Sequence, residues 1–267
     1  MSSQTATALR AALHFAPPTS LVTAPVKPRL IVAGATGVLG NEVLRRLAGS
    51  GRFAQTVVLA KELMATSMAQ VSIHEVAGDL QAWPPLPGSQ GADVGMVMFE
   101  PPGLYYQRER TLWTPAPEQL LALAQWLKHC GVHTLVVVVP HAQGRLPDAV
   151  KRGLATLDEQ ALAALGFERL LLVRSAQKAA PVAANSVLNK LATWMLSTLS
   201  YMIPATEQPV RPSKLAEFID VAIAQLPVGT HVASPELLWR AAEGLNTPQV
   251  VQAWLNRSAS TALPPTL

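Results

Sequence analysis

Three glycines spaced by three, Gly34, Gly37 and Gly40, stand directly behind the apolar run Leu30–Ala33 and directly ahead of a helix-like stretch, Asn41–Leu47. A strand, a tight glycine turn and a helix N-terminus in this order form a cradle for a dinucleotide diphosphate, because the turn aims backbone N–H groups and the positive end of the helix dipole at one point. Each glycine has its own task. Gly34 makes the sharp exit from the strand, Gly37 lets backbone approach the diphosphate with no Cβ between them, and Gly40 lets the helix pack close to the sheet. Thr36 offers a hydroxyl donor to a phosphate oxygen, and Val38 and Leu39 complete the turn. The expected cofactor is therefore NADP or NAD.

The next candidates lie where later strands end. Lys61 follows Val57-Val58-Leu59-Ala60, at the position where a basic side chain meets the 2′-phosphate of NADP and an acidic one meets the ribose of NAD. Lys61 favours NADP, whereas the neighbouring Glu62 would suit the ribose. Gly78-Asp79-Leu80 follows the third apolar run. A carboxylate at Asp79 can hold the adenine, and Asp is equally suited to capping a helical turn.

The elements that must position these residues alternate. Strands are expected at Thr56–Ala60, Val71–Ala77, Asp93–Phe99, Thr134–Val139 and Arg169–Val173, and helices at Pro117–His129 and Asp148–Leu165. The run Leu135–Val139 is branched or leucyl throughout, as in a parallel strand buried on both faces. The pattern predicts an α/β fold, a doubly wound parallel sheet of Rossmann-like type. Beyond Arg174 the alternation stops. A helix over Val187–Met202, a proline-rich crossing at Pro204–Pro212, a helix over Lys214–Leu226 and a short segment at His231–Ala242 are expected to form a small C-terminal helical cap over the carboxyl ends of the strands. The expected organisation is a disordered N-terminal extension over residues 1–28, a dinucleotide-binding domain over 29–245, and a loose tail over 246–267.

Composition bounds the function classes. Apolar residues make up 49% of the 267, ample for a core, and no run has the ~18 uncharged apolar residues of a membrane span. The net charge of +4 is scattered, so no nucleic-acid footprint is expected. The single cysteine, Cys130, excludes an intrachain disulfide framework and suits a reducing, cytoplasmic setting. His129, Cys130 and His133 have a spacing reminiscent of a metal site, but Gly131 breaks the chain between them, and no metal is expected.

The glycine turn, Asp79-Leu80, Asp93–Phe99, Gly166–Arg174 and the stretch Gln208–Ala216 resemble the atypical and extended short-chain dehydrogenases/reductases, and among them the Tat-interacting-protein-like oxidoreductases. The resemblance implies hydride chemistry on a nicotinamide cofactor, with a Tyr and a Lys four residues later on the helix after the fifth strand. Both side chains then share one helical face, and the lysine lowers the tyrosine pKa. This sequence has no Tyr-x-x-x-Lys: its tyrosines are Tyr105, Tyr106 and Tyr201. The tyrosine position falls near Lys151, and Val139-Pro140-His141 stands where the family closes strand five with serine. His141 is the first candidate for a substitute proton donor. Three functions remain open: a binding or regulatory module without turnover, an NADPH-dependent reductase, isomerase or dehydratase with a different donor, and a structural partner that has lost the cofactor. In the last, the helix bearing Trp194 and Met195 would face a protein partner or a second copy.

Overall fold

The computed structural model describes residues 27–86, 92–100, 102, 107–142, 160–177, 210–244 and 246–261. Seven strands form one sheet: β1 (Arg29–Ala33), β2 (Gln55–Ala60), β3 (Val71–Glu75), β4 (Val94–Val97), β5 (Thr134–Ala142), β6 (Arg169–Gln177) and β7 (Gly229–Ala233). Their spatial order is β3-β2-β1-β4-β5-β6-β7, and every neighbouring pair is parallel. The order reverses between β1 and β4, so a crevice opens at the carboxyl ends of these two strands, where open α/β sheets bind ligands. This is the doubly wound, Rossmann-like arrangement expected from the alternation.

Helices cover both faces. α1 (Gly37–Gly49) buries Gly40, Val43 and Leu47, a spacing of three and four that keeps one side on the sheet. It ends at Ser50, whose N–H donates to the carbonyl of Leu47, and Gly51 follows at a φ of 66°. α2 (Gln107–Arg110) is a single turn, and α3 (Leu120–His129) follows a 3-10 turn at Pro117–Gln119. α4 (Pro212–Gln225), α5 (Pro235–Glu243) and α6 (Thr247–Thr261) close the described chain. Leu30 and Val32 point to one face, where they join Val43 and Leu47 of α1 with Leu215, Phe218, Leu237, Val251 and Leu255. Ile31 and Ala33 point to the other, with Leu123 and Leu127 of α3 and Leu162. The period of two along the strand thus serves two cores at once.

Three features differ from the sequence expectation. The alternation does not stop at Arg174: β7 pairs with β6, and Arg169 to Val173 are in register with Gly229 to Ala233. The C-terminal helices are present, but α4, α5 and α6 pack on the α1 face of the sheet rather than over the strand ends. The stretch beyond 245 is not wholly a loose tail, because α6 seats Val251 and Leu255 in the core. A buried carboxylate also ties the C-terminal helices to the start of the fold. Asp220 of α4 accepts from Arg46 Nε at 3.2 Å and from Arg52 Nη2 at 3.1 Å. The helix expected over Val187–Met202 and most of that over Asp148–Leu165 lie outside the described residues, as does the extension up to residue 26.

Candidate functional site

The glycine turn links β1 to α1 as a strand, a tight turn and a helix start. Gly34 and Gly37 have φ values of 77° and 68°, the left-handed region that favours glycine. A methyl group on Gly34 would run into the carbonyl oxygen of Met98, and one on Gly40 would lie 2.7 Å from the carbonyl carbon of Ala35 and 2.8 Å from the Gly34 oxygen. Gly34 therefore allows the close pass of β1's exit against β4, and Gly40 the close seating of α1.

Gly37 is different. The space its missing Cβ leaves open holds the side chain of Glu100, whose Oε2 would be 2.6 Å from a methyl group there. Glu100 stands just past the end of β4 and aims back at the N-terminus of α1, where its Oε2 accepts from the Leu39 N–H at 2.6 Å. A second carboxylate arrives from α2. Glu109, 8% exposed, accepts from the Gly37 N–H at 3.1 Å through Oε2 and from Asn41 Nδ2 through Oε1 at 2.5 Å. The Thr36 hydroxyl, expected to serve a phosphate, donates to the carbonyl of Glu100 and lies 2.9 Å from the Thr114 hydroxyl. Two carboxylates therefore take the N–H groups of Gly37 and Leu39 that a diphosphate would use. Hydrogen bonds to an ionised acceptor contribute about 1.5–3 kcal/mol each, and the helix dipole favours negative charge at this end.

The stretch Glu109–Pro115 then crosses the carboxyl ends of β1 and β2. The Lys61 N–H donates to the carbonyl of Thr111, the Trp113 N–H to that of Leu59, and the Gly34 N–H to that of Trp113. Ala60 and Leu112 form an antiparallel bridge. The Trp113 indole meets Trp83 edge-on, with ring centroids 4.9 Å apart, and Trp83 meets Trp126 at 5.4 Å. Trp83 and Trp113 are both half-buried and pack against the core on the α3 face of the sheet.

The other predicted residues are distributed as follows. Lys61 is exposed at the end of β2, beside exposed Glu62. Asp79 caps the 3-10 turn Leu80–Ala82 by accepting from the Gln81 N–H at 3.2 Å, and Leu80 is buried. Val38 is exposed at 63% on the first turn of α1. His141 falls on the last part of β5, in register with Ala176. Tyr105, Tyr106, Lys151, Tyr201, Trp194 and Met195 lie outside the described residues. Cys130 is buried, and its Sγ accepts from the Leu86 N–H at 3.3 Å; burial pushes the thiol pKa up, partly offset by that bond. His129 and His133 are exposed on either side of it. No helix among the described residues is long and apolar enough to cross a membrane.

Sequence reasoning missed Glu100, Glu109, Asn41, Thr114 and Trp113. The signal available was a pair of acids in the connection after β4, close in sequence to the ligand crevice. Neither lies in a periodic pattern that would reveal where it points.

A dinucleotide diphosphate entering this cradle would have to displace the two carboxylates. Otherwise it would share the Gly37 and Leu39 amides with Glu100 and Glu109, and its negative charges would meet two carboxylates in a partly buried crevice.

No family model matches the chain, and no curated protein matches it. Solved structures of similar fold include a Rossmann-fold NAD(P)-binding family protein from Shigella flexneri, 16% identical over 76% of this chain and 92% of that one, with a TM-score of 0.40. The Bordetella bronchiseptica enzyme WbmG in complex with NAD is 13% identical over 92% and 83%, TM-score 0.42. A putative NAD-dependent epimerase/dehydratase from Bacillus halodurans is 13% identical over 80% and 99%, TM-score 0.42. Likeness at this level carries no function across, and the fold assignment stands on the strand order itself.

Proposed function

We propose that this protein is a Rossmann-type binding or regulatory module that does not run dehydrogenase chemistry. One observation carries the reading: the amides of Gly37 and Leu39, which the fold offers to a dinucleotide, are held by the chain's own carboxylates at 3.1 and 2.6 Å. The sequence agrees, since a Tyr-x-x-x-Lys pair is absent from it. Retention of Gly34, Gly37 and Gly40 with the positive φ values of Gly34 and Gly37 supports a nicotinamide dinucleotide as the ligand class for which the crevice is shaped. Lys61, exposed at the end of β2, supports NADP over NAD.

The test is turnover. The wild-type protein is incubated with NADPH or NADH and a panel of aldehydes, ketones and nucleotide sugars, and cofactor oxidation and sugar interconversion are followed. Rates no higher than those of a heat-denatured control are expected. Saturable turnover, reduced by His141→Ala, would replace this reading with that of an enzyme using a substitute proton donor.

A further inference from the structure

We infer that the dinucleotide crevice is closed from within, by Glu100 and Glu109 standing in for the diphosphate. The inference rests on the reading of the crevice as a dinucleotide site and adds what governs access to it. Loss of the cradle itself does not explain the closure. The turn keeps its left-handed glycines, and the helix N-terminus still presents its N–H groups. What differs from an open site is the identity of the acceptor.

Three contacts hold the closure. The first is Glu100, whose carboxylate enters the gap at Gly37 from the end of β4 and accepts from Leu39. The second is Glu109, which reaches the same helix end from α2 and bridges Gly37 to Asn41. The third is the backbone of Thr111–Trp113, pinned to Lys61, Leu59 and Gly34 at 2.6, 3.0 and 3.1 Å. Carboxylates are suitable substitutes here because each brings one negative charge and two acceptor oxygens to donors that would otherwise receive phosphate oxygens. The stretch Glu109–Pro115 thus brings an acid to the helix end and is itself pinned by its backbone to β1 and β2.

Access therefore depends on the two acids. Glutamine at both positions removes the charge and its repulsion of a phosphate, and alanine also removes the side chains that occupy the cradle. The experiment is a calorimetric titration of NADPH and of ADP into wild type, Glu100→Gln/Glu109→Gln and Glu100→Ala/Glu109→Ala. The wild type is expected to bind both ligands weakly. At least one double variant is expected to bind about 30-fold tighter or more, the change that corresponds to releasing one charge-assisted hydrogen bond. A folded double variant that binds no tighter than wild type overturns the inference. So does a wild type that already binds at micromolar affinity. The glutamine pair keeps size and shape, and decides the matter where the alanine pair unfolds. A measurement on the wild type needs no variant: the Gly37 and Leu39 amides are expected to be protected from hydrogen exchange in the ligand-free protein, and exchange at the rate of free amides overturns the closure. Failure here is separable from failure of the functional reading. Turnover by the wild type defeats that reading, whereas an unchanged affinity in the variants defeats only the closure.

Discussion

At the scale of single residues, Gly37 and Glu100 form a coupled pair, because the side chain of one occupies the space left by the absence of a side chain in the other. Gly37→Ala introduces two costs. A φ of 68° disfavours any L side chain by about 1–2 kcal/mol, and the new methyl collides with the Glu100 carboxyl group. Only the first cost belongs to Gly37 alone. In a Glu100→Ala background the second vanishes, so the double variant is expected to be more stable than the sum of the two single losses predicts, with a coupling of about 0.5–3 kcal/mol. Urea unfolding of the four proteins in this cycle measures it. Strict additivity would mean that Glu100 does not occupy the turn in solution. Gly34→Ala offers a contrast, since the obstacle there is the backbone carbonyl of Met98, a residue whose N–H is hydrogen-bonded to the Ala33 carbonyl, rather than a side chain. Its loss is expected to exceed that of Gly37→Ala and to be unrelieved by any substitution at Glu100.

At the scale of elements, the C-terminal helices hold together through a polar joint that pH can open. Glu217 of α4 accepts from Lys214 Nζ and from the Thr247 hydroxyl at the start of α6, both at 3.0 Å. The Lys214 hydrogen bond lowers the Glu217 pKa below the ordinary glutamate value; burial opposes this, and Thr247 and the charges of Lys214 and Arg46 reinforce it. A depressed folded-state pKa gives stability that is fully present above the unfolded value, about 4.3, and is lost as pH falls through the folded value. Glu217→Gln is therefore expected to lower the urea midpoint near neutrality and to match wild type in acid, below both values. A constant gap at all pH would show that the joint contributes through packing alone. The elements themselves were largely legible in the sequence, because β1, β2, β4, β5 and β6 are apolar runs and α3 carries a helical period. β7 was not. In Gly229–Ala233 only His231 and Ala233 are buried, Thr230 and Val232 face outward, and so short a mixed segment at a sheet edge reads as part of a loop. The glycine turn was legible for the opposite reason, since its backbone demands glycine at fixed spacing. Glu100 and Glu109 escaped notice because a carboxylate tolerates almost any local backbone, and only the fold shows that two of them converge on one helix end.

At the scale of the whole molecule, the lone thiol of Cys130 reports on how the layers come apart. Cys130 follows α3 at 4% exposure, under the Leu86 N–H and within the cluster of Leu123, Leu127 and Val132. Burial raises its pKa, and reaction with an aromatic disulfide reagent requires both access and the thiolate. In the native protein both are denied, so labelling proceeds only through opening. If the α3 layer leaves the sheet only when the sheet itself unfolds, labelling is expected to be slower than in the denatured chain by about 10⁴-fold or more, as for a group protected by the full stability of a domain. The logarithm of the labelling rate should then rise with urea along the slope of global unfolding. The Gly95 position makes this concerted behaviour the expected one. A methyl there would lie 3.2 to 3.3 Å from side chains of Val132, Leu127 and Leu135, so β4, α3 and β5 interlock at a point with no slack. A shallower slope would instead identify an opening confined to the Leu86–Cys130 edge, and would place the weakest seam of the molecule on the α3 face rather than on the face shared by α1 and α4.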